Sequence, residues 1–175
     1  MSGAGTGSTG AGNGAETGFV AGIDYPSPFD DFALRLAGSA RRYLCLLSPR
    51  LDARVFDTPD LVSALTALAR RSRQTDIRIL VQDARPLVKQ GHRLLQLARR
   101  MPSKVRLQVL PEHPEWPGHT LVIRDRDGVL YLPPDSESGG FFEPDSRAST
   151  QKHLELFESL WRSSAASPEL RRLHL

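Results

Sequence analysis

The run Tyr43-Leu44-Cys45-Leu46-Leu47 is apolar at every position and is stopped by Ser48-Pro49. A strand with one face in water alternates apolar and polar residues, so a short unbroken run reads as a strand covered on both faces. Such a strand needs a layer on each side of its sheet, and the flanking sequence supplies helices. Before it, Phe29, Phe32, Ala33, Leu36 and Ala40 recur on one helical face, with Ser27 as the expected cap and Pro28 as the expected first helical residue. After it, Thr58 is placed to cap a helix whose stripe is Leu61, Leu65, Leu68 and Ala69. Ile77–Val81 reads as a second strand. A third helix is expected from about Pro86 to Met101, turning Leu87, Gly91, Leu94, Leu95 and Ala98 inward, and Val105–Leu110 reads as a third strand.

Pro111 to Gly118 is a proline-rich loop, and His119–Arg124 and Val129–Leu132 form a hairpin around Asp125-Arg126-Asp127-Gly128. A Ser/Gly-rich loop follows. Asp145 or Ser146 then starts a last helix with Leu154, Phe157, Leu160 and Trp161 on its apolar side. Strands alternating with helices imply an α/β fold: a mainly parallel sheet, extended by an antiparallel hairpin, with helices on both faces. The expected organisation is a disordered Gly/Ser/Thr-rich tail over 1–18, one α/β domain over 19–163, and a polar C-terminal tail over 164–175 that frays. The first tail contains Gly5-Thr6-Gly7-Ser8-Thr9-Gly10, a formal match to a dinucleotide fingerprint. That fingerprint needs a strand before it and a helix after it, and neither can form there.

The chain has 175 residues, enough for one domain of ordinary size, and 39% hydrophobic with 25% charged residues is an ordinary globular balance. No apolar run approaches the roughly 20 residues of a membrane-spanning helix, so no membrane association is expected. The N-terminus lacks the basic start and apolar stretch of a secretory leader. A lone cysteine, Cys45, forms no internal disulfide and reads as a small buried hydrophobe, which suits a reducing cytoplasm. No Cys/His group has zinc-ligand spacing, and neither metal nor cofactor is expected. The net charge of +3 is nearly all arginine, since lysine occurs only at Lys89, Lys104 and Lys152. A GC-rich coding genome produces such a bias, and the doublets Arg70–Arg71 and Arg99–Arg100 sit where helix ends favour cations. Nucleic acid is the weakest of the partner readings, because no helix-turn-helix, zinc finger or aromatic RNA-binding signature is present.

Three local cues, with the element order, carry a resemblance. Ser48-Pro49-Arg50-Leu51-Asp52 before a helix, Asp76 to Asp83 as a core strand, and His119-Thr120-Leu121-Val122-Ile123 together resemble one half of the phospholipase D superfamily, over roughly Arg42 to Trp161. The superfamily motif is His-x-Lys followed by four residues and an Asp. Its histidine attacks phosphorus and its lysine neutralises phosphoryl charge. Here the histidine position is His119, but the lysine position is Leu121 and the aspartate position is Arg126. Because strand side chains alternate, His119, Leu121 and Ile123 share a face, and this imidazole has aliphatic neighbours where a phosphate needs a cation. Active members pair two motifs across a two-fold axis, so the resemblance implies a homodimer. More narrowly, Arg85 to Leu95 and the closing Leu154–Trp161 helix resemble an uncharacterised group of proteobacterial domains, found alone or attached to acetyltransferase-like domains. The N-terminal tail is where such a partner would attach.

The candidate site residues follow. Loops at the carboxyl ends of parallel strands are the usual ligand sites of open α/β sheets, and here they carry Ser48, Arg50, Asp52, Asp83 and Arg85. Asp52 with Arg85, or Arg50 with Asp83, would also serve as salt bridges between adjacent loops. On the third helix, His92 lies about 140° and Lys89 about 200° from Leu87, at 100° per residue. These two with Arg93 read either as a solvated face or as an anion site for a phosphate-containing or acidic ligand. His119 reads either as structural or as a residual catalytic histidine. Asp125 and Asp127 read as turn residues. Trp116, Phe141 and Phe142 are expected in loops, covering the sheet or forming a partner patch. Three functions remain open. The leading one is a non-catalytic binding or regulatory module. The others are a divergent phosphodiesterase using Arg85, Arg93 or Arg124 in place of lysine, and a nucleic-acid binder. Whether His119, Arg85 and Arg93 share a cleft separates the first two.

Overall fold

The computed structural model describes residues 18–171, so residues 1–17 of the expected N-terminal tail lie outside it. In chain order the elements are β1 (Val20–Ile23), α1 (Phe29–Ser39), β2 (Tyr43–Leu47), α2 (Ala53–Phe56), α3 (Pro59–Arg71), β3 (Asp76–Val81), α4 (Arg85–Gln90), α5 (Arg93–Arg100), β4 (Val105–Val109), β5 (Thr120–Arg124), β6 (Gly128–Leu132), β7 (Gly140–Glu143) and α6 (Arg147–Ser163), with a final 3-10 turn at Pro168–Arg171. The strands form one sheet in the order β1-β7-β6-β5-β2-β3-β4. β2, β3 and β4 pair in parallel, and every other pairing is antiparallel. β2 therefore sits at the change of direction, with β3 beside it in parallel and β5 antiparallel, Leu47 opposite Leu121.

Side-chain alternation divides the interior into two layers. Leu44, Leu46, Ile77, Ile79, Val122 and Leu130 face α1, α3 and α5. Cys45, Leu47, Leu80, Leu121, Ile123 and Val129 face α6 and pack with Phe157, Leu160 and Trp161. This is why β2 is apolar throughout: both of its faces are covered. Burial at Cys45 pushes its thiol up to about 12.

Several expectations need correction. The parallel strands and the antiparallel hairpin are present as expected, but β1 and β7 add two more antiparallel strands that four-residue sequences without alternation do not announce. Phe141 and Phe142, expected in loops, lie on β7; Phe142 packs on Phe32 with ring centroids 4.7 Å apart, and Phe141 stacks on Tyr131 at 5.0 Å. Helix α1 begins after Pro28, which occupies the cap position without a side-chain bond, so Ser27 caps nothing. A one-turn helix, α2, precedes Thr58, which does cap α3 by accepting from the Leu61 N–H at 3.3 Å. The expected third helix is two helices: Gly91 adopts the left-handed conformation (φ 63°) and ends α4, donating to the Leu87 and Val88 carbonyls. The C-terminal segment does not fray at Ser163. Ala165 exchanges both backbone bonds with Val109 on the edge strand β4 (2.9 and 3.2 Å), and Leu170 is buried. An edge strand leaves a row of unpaired backbone groups, and this segment takes up part of it.

Candidate functional site

Two groups of residues meet at the carboxyl ends of β2 and β3. The first is the turn after β2. Ser48, buried, accepts from the Leu51 N–H (3.0 Å), which folds the chain back on itself and leaves Leu51 in the left-handed region at φ 53°. That conformation is costly for a leucine, so something must hold it. The restraint is His92. Its Nδ1 accepts from the Leu94 N–H at 3.1 Å, so the proton sits on Nε2, which donates to the Leu51 carbonyl at 2.9 Å. His92 is 0% exposed, and burial holds its pKa below the ordinary histidine value despite the nearby Asp57 carboxylate. The sequence reading put His92 on the polar side of a continuous helix. The break at Gly91 resets the helical phase, turning the ring inward as the cap of α5.

The turn opens onto a cleft of about 960 Å³, whose walls include Ser48, Arg50, Asp52, Arg54, Gln82 and Thr120. Of the charges that line it, Asp52 and Arg54 pair within their own loop, while Arg50, Asp135 and Glu137 form no ion pair among the described residues. Asp52 caps α2 through the Arg54 N–H (3.0 Å), binds the Arg54 guanidinium at 2.8 Å, and accepts from the Tyr25 hydroxyl at 2.9 Å. Burial alone would raise the Asp52 carboxyl, but the bonds from Arg54 and Tyr25 outweigh it and hold it below the usual range. The Tyr25 hydroxyl is pushed far above its ordinary value by burial and by Asp52. Asp83 binds the Arg85 backbone and side chain, each at 3.0 Å, and those bonds lower its carboxyl. Neither expected cross-loop bridge forms. An aspartate two residues before an arginine reaches its neighbour's N–H and guanidinium together, and that local geometry prevails over Asp52–Arg85 or Arg50–Asp83. Arg50 is exposed and forms no ion pair among the described residues.

The second group surrounds His119. Gly118, at φ 121°, lies between Pro49 and Pro134 and delivers the chain into β5. Gly118 and Thr120 line the cleft, whereas alternation turns the His119 ring to the α6 side. His119 is 6% exposed; its carbonyl accepts from the Trp116 indole N–H at 2.9 Å, and Trp116 is itself buried as a cover for this layer. The imidazole lies 5.7 Å from the Tyr131 ring, which lies 6.0 Å from His153 on α6. Burial, and secondarily His153, lowers the His119 pKa. Leu121, at the expected lysine position, is 0% exposed among Leu47, Leu80 and Phe157.

His119, Arg85 and Arg93 do not share a cleft. Arg85 pairs with Asp83. Arg93 binds Asp57 through its backbone N–H (3.1 Å) and guanidinium (3.1 Å), tying α5 to α2. Lys89 is exposed on α4. Arg124 lies at the far end of β5, held by Asp127, Ser39 and the Pro144 carbonyl. Tyr25 and Arg54 escaped the sequence reading because Tyr25 reaches Asp52 only once β1 has paired with β7. His153 was overlooked on the last helix, where only the helical face toward β6 marks it. Among the described residues no group of three or more His, Cys, Asp or Glu is arranged to hold a metal ion, and no helix is long and apolar enough to cross a membrane.

A family model described as a domain of unknown function, DUF7931, matches residues 25–173. No curated protein matches the sequence. Among solved structures, the chain is similar to Nuc of Salmonella typhimurium, a phospholipase D family member, at 16% identity and a TM-score of 0.60, covering 86% of this chain and 97% of that one. It is similar to NucT from Helicobacter pylori at 13% identity and a TM-score of 0.60, covering 86% and 100%. It is also similar to TrmBL2, an archaeal chromatin protein with a novel mode of DNA binding, at 14% identity and a TM-score of 0.62, covering 86% of this chain. The match spans about half of TrmBL2, 53% of its length. The fold is phospholipase D-like.

Proposed function

The chain belongs to the DUF7931 domain family, and from that footing we propose that it is a phospholipase D-like module that binds or regulates without catalysing. The observation that carries this reading is the pair His119 and Leu121. Phosphoryl transfer works by fixed positive charge around the transferring group. Here the imidazole borders a fully buried leucine, and none of Arg85, Arg93 and Arg124 hydrogen-bonds to it. Burial favours the neutral ring, which supplies no charge of its own. The polar cleft beside it is the ligand site in this reading. There exposed Arg50, which has no ion pair among the described residues, and the buried Ser48 turn receive a phosphate-containing or acidic ligand, against the opposing charge of Asp135 and Glu137 on the same cleft. A homodimer that brings two such clefts together, and an acetyltransferase-like partner joined through the N-terminal tail, belong to the same proposal. So do the cytoplasmic setting and a domain that starts at residue 19 and runs past Ser163 through the segment paired with β4.

The test is turnover of a chromogenic phosphodiester by purified protein, with acid-quench trapping of any phosphohistidine. The expected result is no turnover above buffer and no adduct, unchanged by His119→Ala. Turnover lost in His119→Ala would return the chain to the enzymes. Light scattering tests the dimer; a monomer at micromolar concentration removes it.

A further inference from the structure

The opposite end of the sheet holds a second cleft, of about 610 Å³, at the amino end of β2 and the turn between β5 and β6. Arg41, Arg42, Tyr43, Arg124, Arg126 and Arg147 line it, together with Asp125 and Asp127. The carboxylates neutralise it only in part: five arginines stand against two aspartates, and both aspartates already have partners. Asp125 accepts the backbone N–H groups of Arg41 (3.0 Å), Arg42 (2.9 Å) and Tyr43 (3.0 Å). Asp127 binds Arg124 at 3.0 Å, and Arg124 is further occupied by Ser39. The nearest acids in the adjoining hollow, Asp76 and Glu158, are bound by Arg78 and Arg106. Arg41, Arg42, Arg126 and Arg147 are left exposed, and among the described residues none of their side chains has a hydrogen-bond or ion-pair partner.

Four unengaged guanidinium groups around one cleft repel one another, an arrangement that a bound polyanion relieves. Tyr43 adds a second observation. It is 36% exposed, one of two exposed large hydrophobic residues among those described, and its ring has no aromatic partner there. A free aromatic face beside arginines is the arrangement that holds single strands: phosphates go to the guanidinium groups and an unpaired base stacks on the ring. In a duplex the base faces are closed, and a ring cannot reach them.

We propose that this cleft binds single-stranded nucleic acid, with phosphates on Arg41, Arg42, Arg126 and Arg147 and a base on Tyr43. The surface uses no residue of the His119 centre or its cleft, so it stands or falls apart from the reading given above. The experiment is fluorescence anisotropy of a labelled oligothymidylate of about twelve nucleotides with the full chain. Four phosphate contacts predict roughly a 50-fold loss of affinity between about 50 and 200 mM salt. Arg126→Ala/Arg147→Ala lowers affinity at least about tenfold and roughly halves the salt dependence. Tyr43→Ala lowers affinity about tenfold for the oligonucleotide but leaves binding of inorganic tripolyphosphate unchanged. Arg73→Ala, on neither cleft, changes neither. No binding at about 50 mM salt, or binding that ignores the arginine pair or is abolished by Arg73→Ala, overturns the site. Duplex bound as tightly as the single strand, with Tyr43→Ala silent, overturns the ligand.

Discussion

The two ends of this sheet solve the same electrostatic problem in opposite ways. At the carboxyl ends of β2 and β3, two aspartates are closed by the arginine two residues on, Asp52 by Arg54 and Asp83 by Arg85. At the amino end of β2, Asp125 goes to three backbone N–H groups, and of the arginines around it only Arg124 forms an ion pair among the described residues, with Asp127. The first cleft sets Asp52, Asp135 and Glu137 against Arg50 and Arg54, whereas in the second five arginines outnumber two aspartates. Net charge of the chain does not reveal this; where the fold gathers each charge does.

The strongest way to break the contrast is to place a cation at the quiet end. Leu121→Lys supplies the lysine of the phospholipase D motif but buries an ammonium among Leu47, Leu80 and Phe157. It is expected to destabilise by about 3–5 kcal/mol in urea unfolding and to gain no phosphodiesterase activity. A stable, active variant would show that the layer under α6 opens. Next is the acid that organises the basic end. Asp125→Ala hands three exposed N–H groups to water and leaves a left-handed position (φ 48°) to an alanine, at about 1–2 kcal/mol, whereas Asp125→Asn retains an acceptor and costs less. Equal costs would mean the carboxylate charge carries the effect.

A smaller effect follows from pH. Burial lowers the pKa of His92, His119 and His153 in the folded chain. Their stabilisation is complete above the unfolded value, about 6.5, and is lost as pH falls toward the folded values, because the unfolded chain binds protons the native one does not. Urea midpoints should fall between pH 7.5 and 5, and His92→Gln should flatten that fall. A flat profile in the parent protein would contradict the burial of these rings. Smallest of all is Arg85→Ala, which removes an exposed pair and should leave the thermal midpoint unchanged within measurement error.

The parallel core was legible in the chain itself. The apolar run of β2, the stripe of α3 with its Thr58 cap, and the Phe157–Trp161 face of α6 are local patterns with local causes. The side-chain alternation that places His119 beside Leu121 was legible for the same reason. What was not legible depended on one residue or on distant partners. Gly91 breaks a helix that periodicity alone would continue, and so converts His92 from a surface ring into the brace of the Leu51 turn.

Local periodicity, then, determines which residues form strands and helices and which face each buries, because neighbouring side chains along the chain set that pattern. The tertiary structure alone decided which charges remain unpaired. β1 meets β7, Tyr25 reaches Asp52, and Asp125 finds the backbone of Arg41 to Tyr43, all through pairings between residues far apart in the chain. Spacing along the chain sets a pair only where acid and base are two or three residues apart, as in Asp52–Arg54 and Arg124–Asp127; elsewhere a carboxylate's partner is chosen by distance in space, which that spacing does not encode.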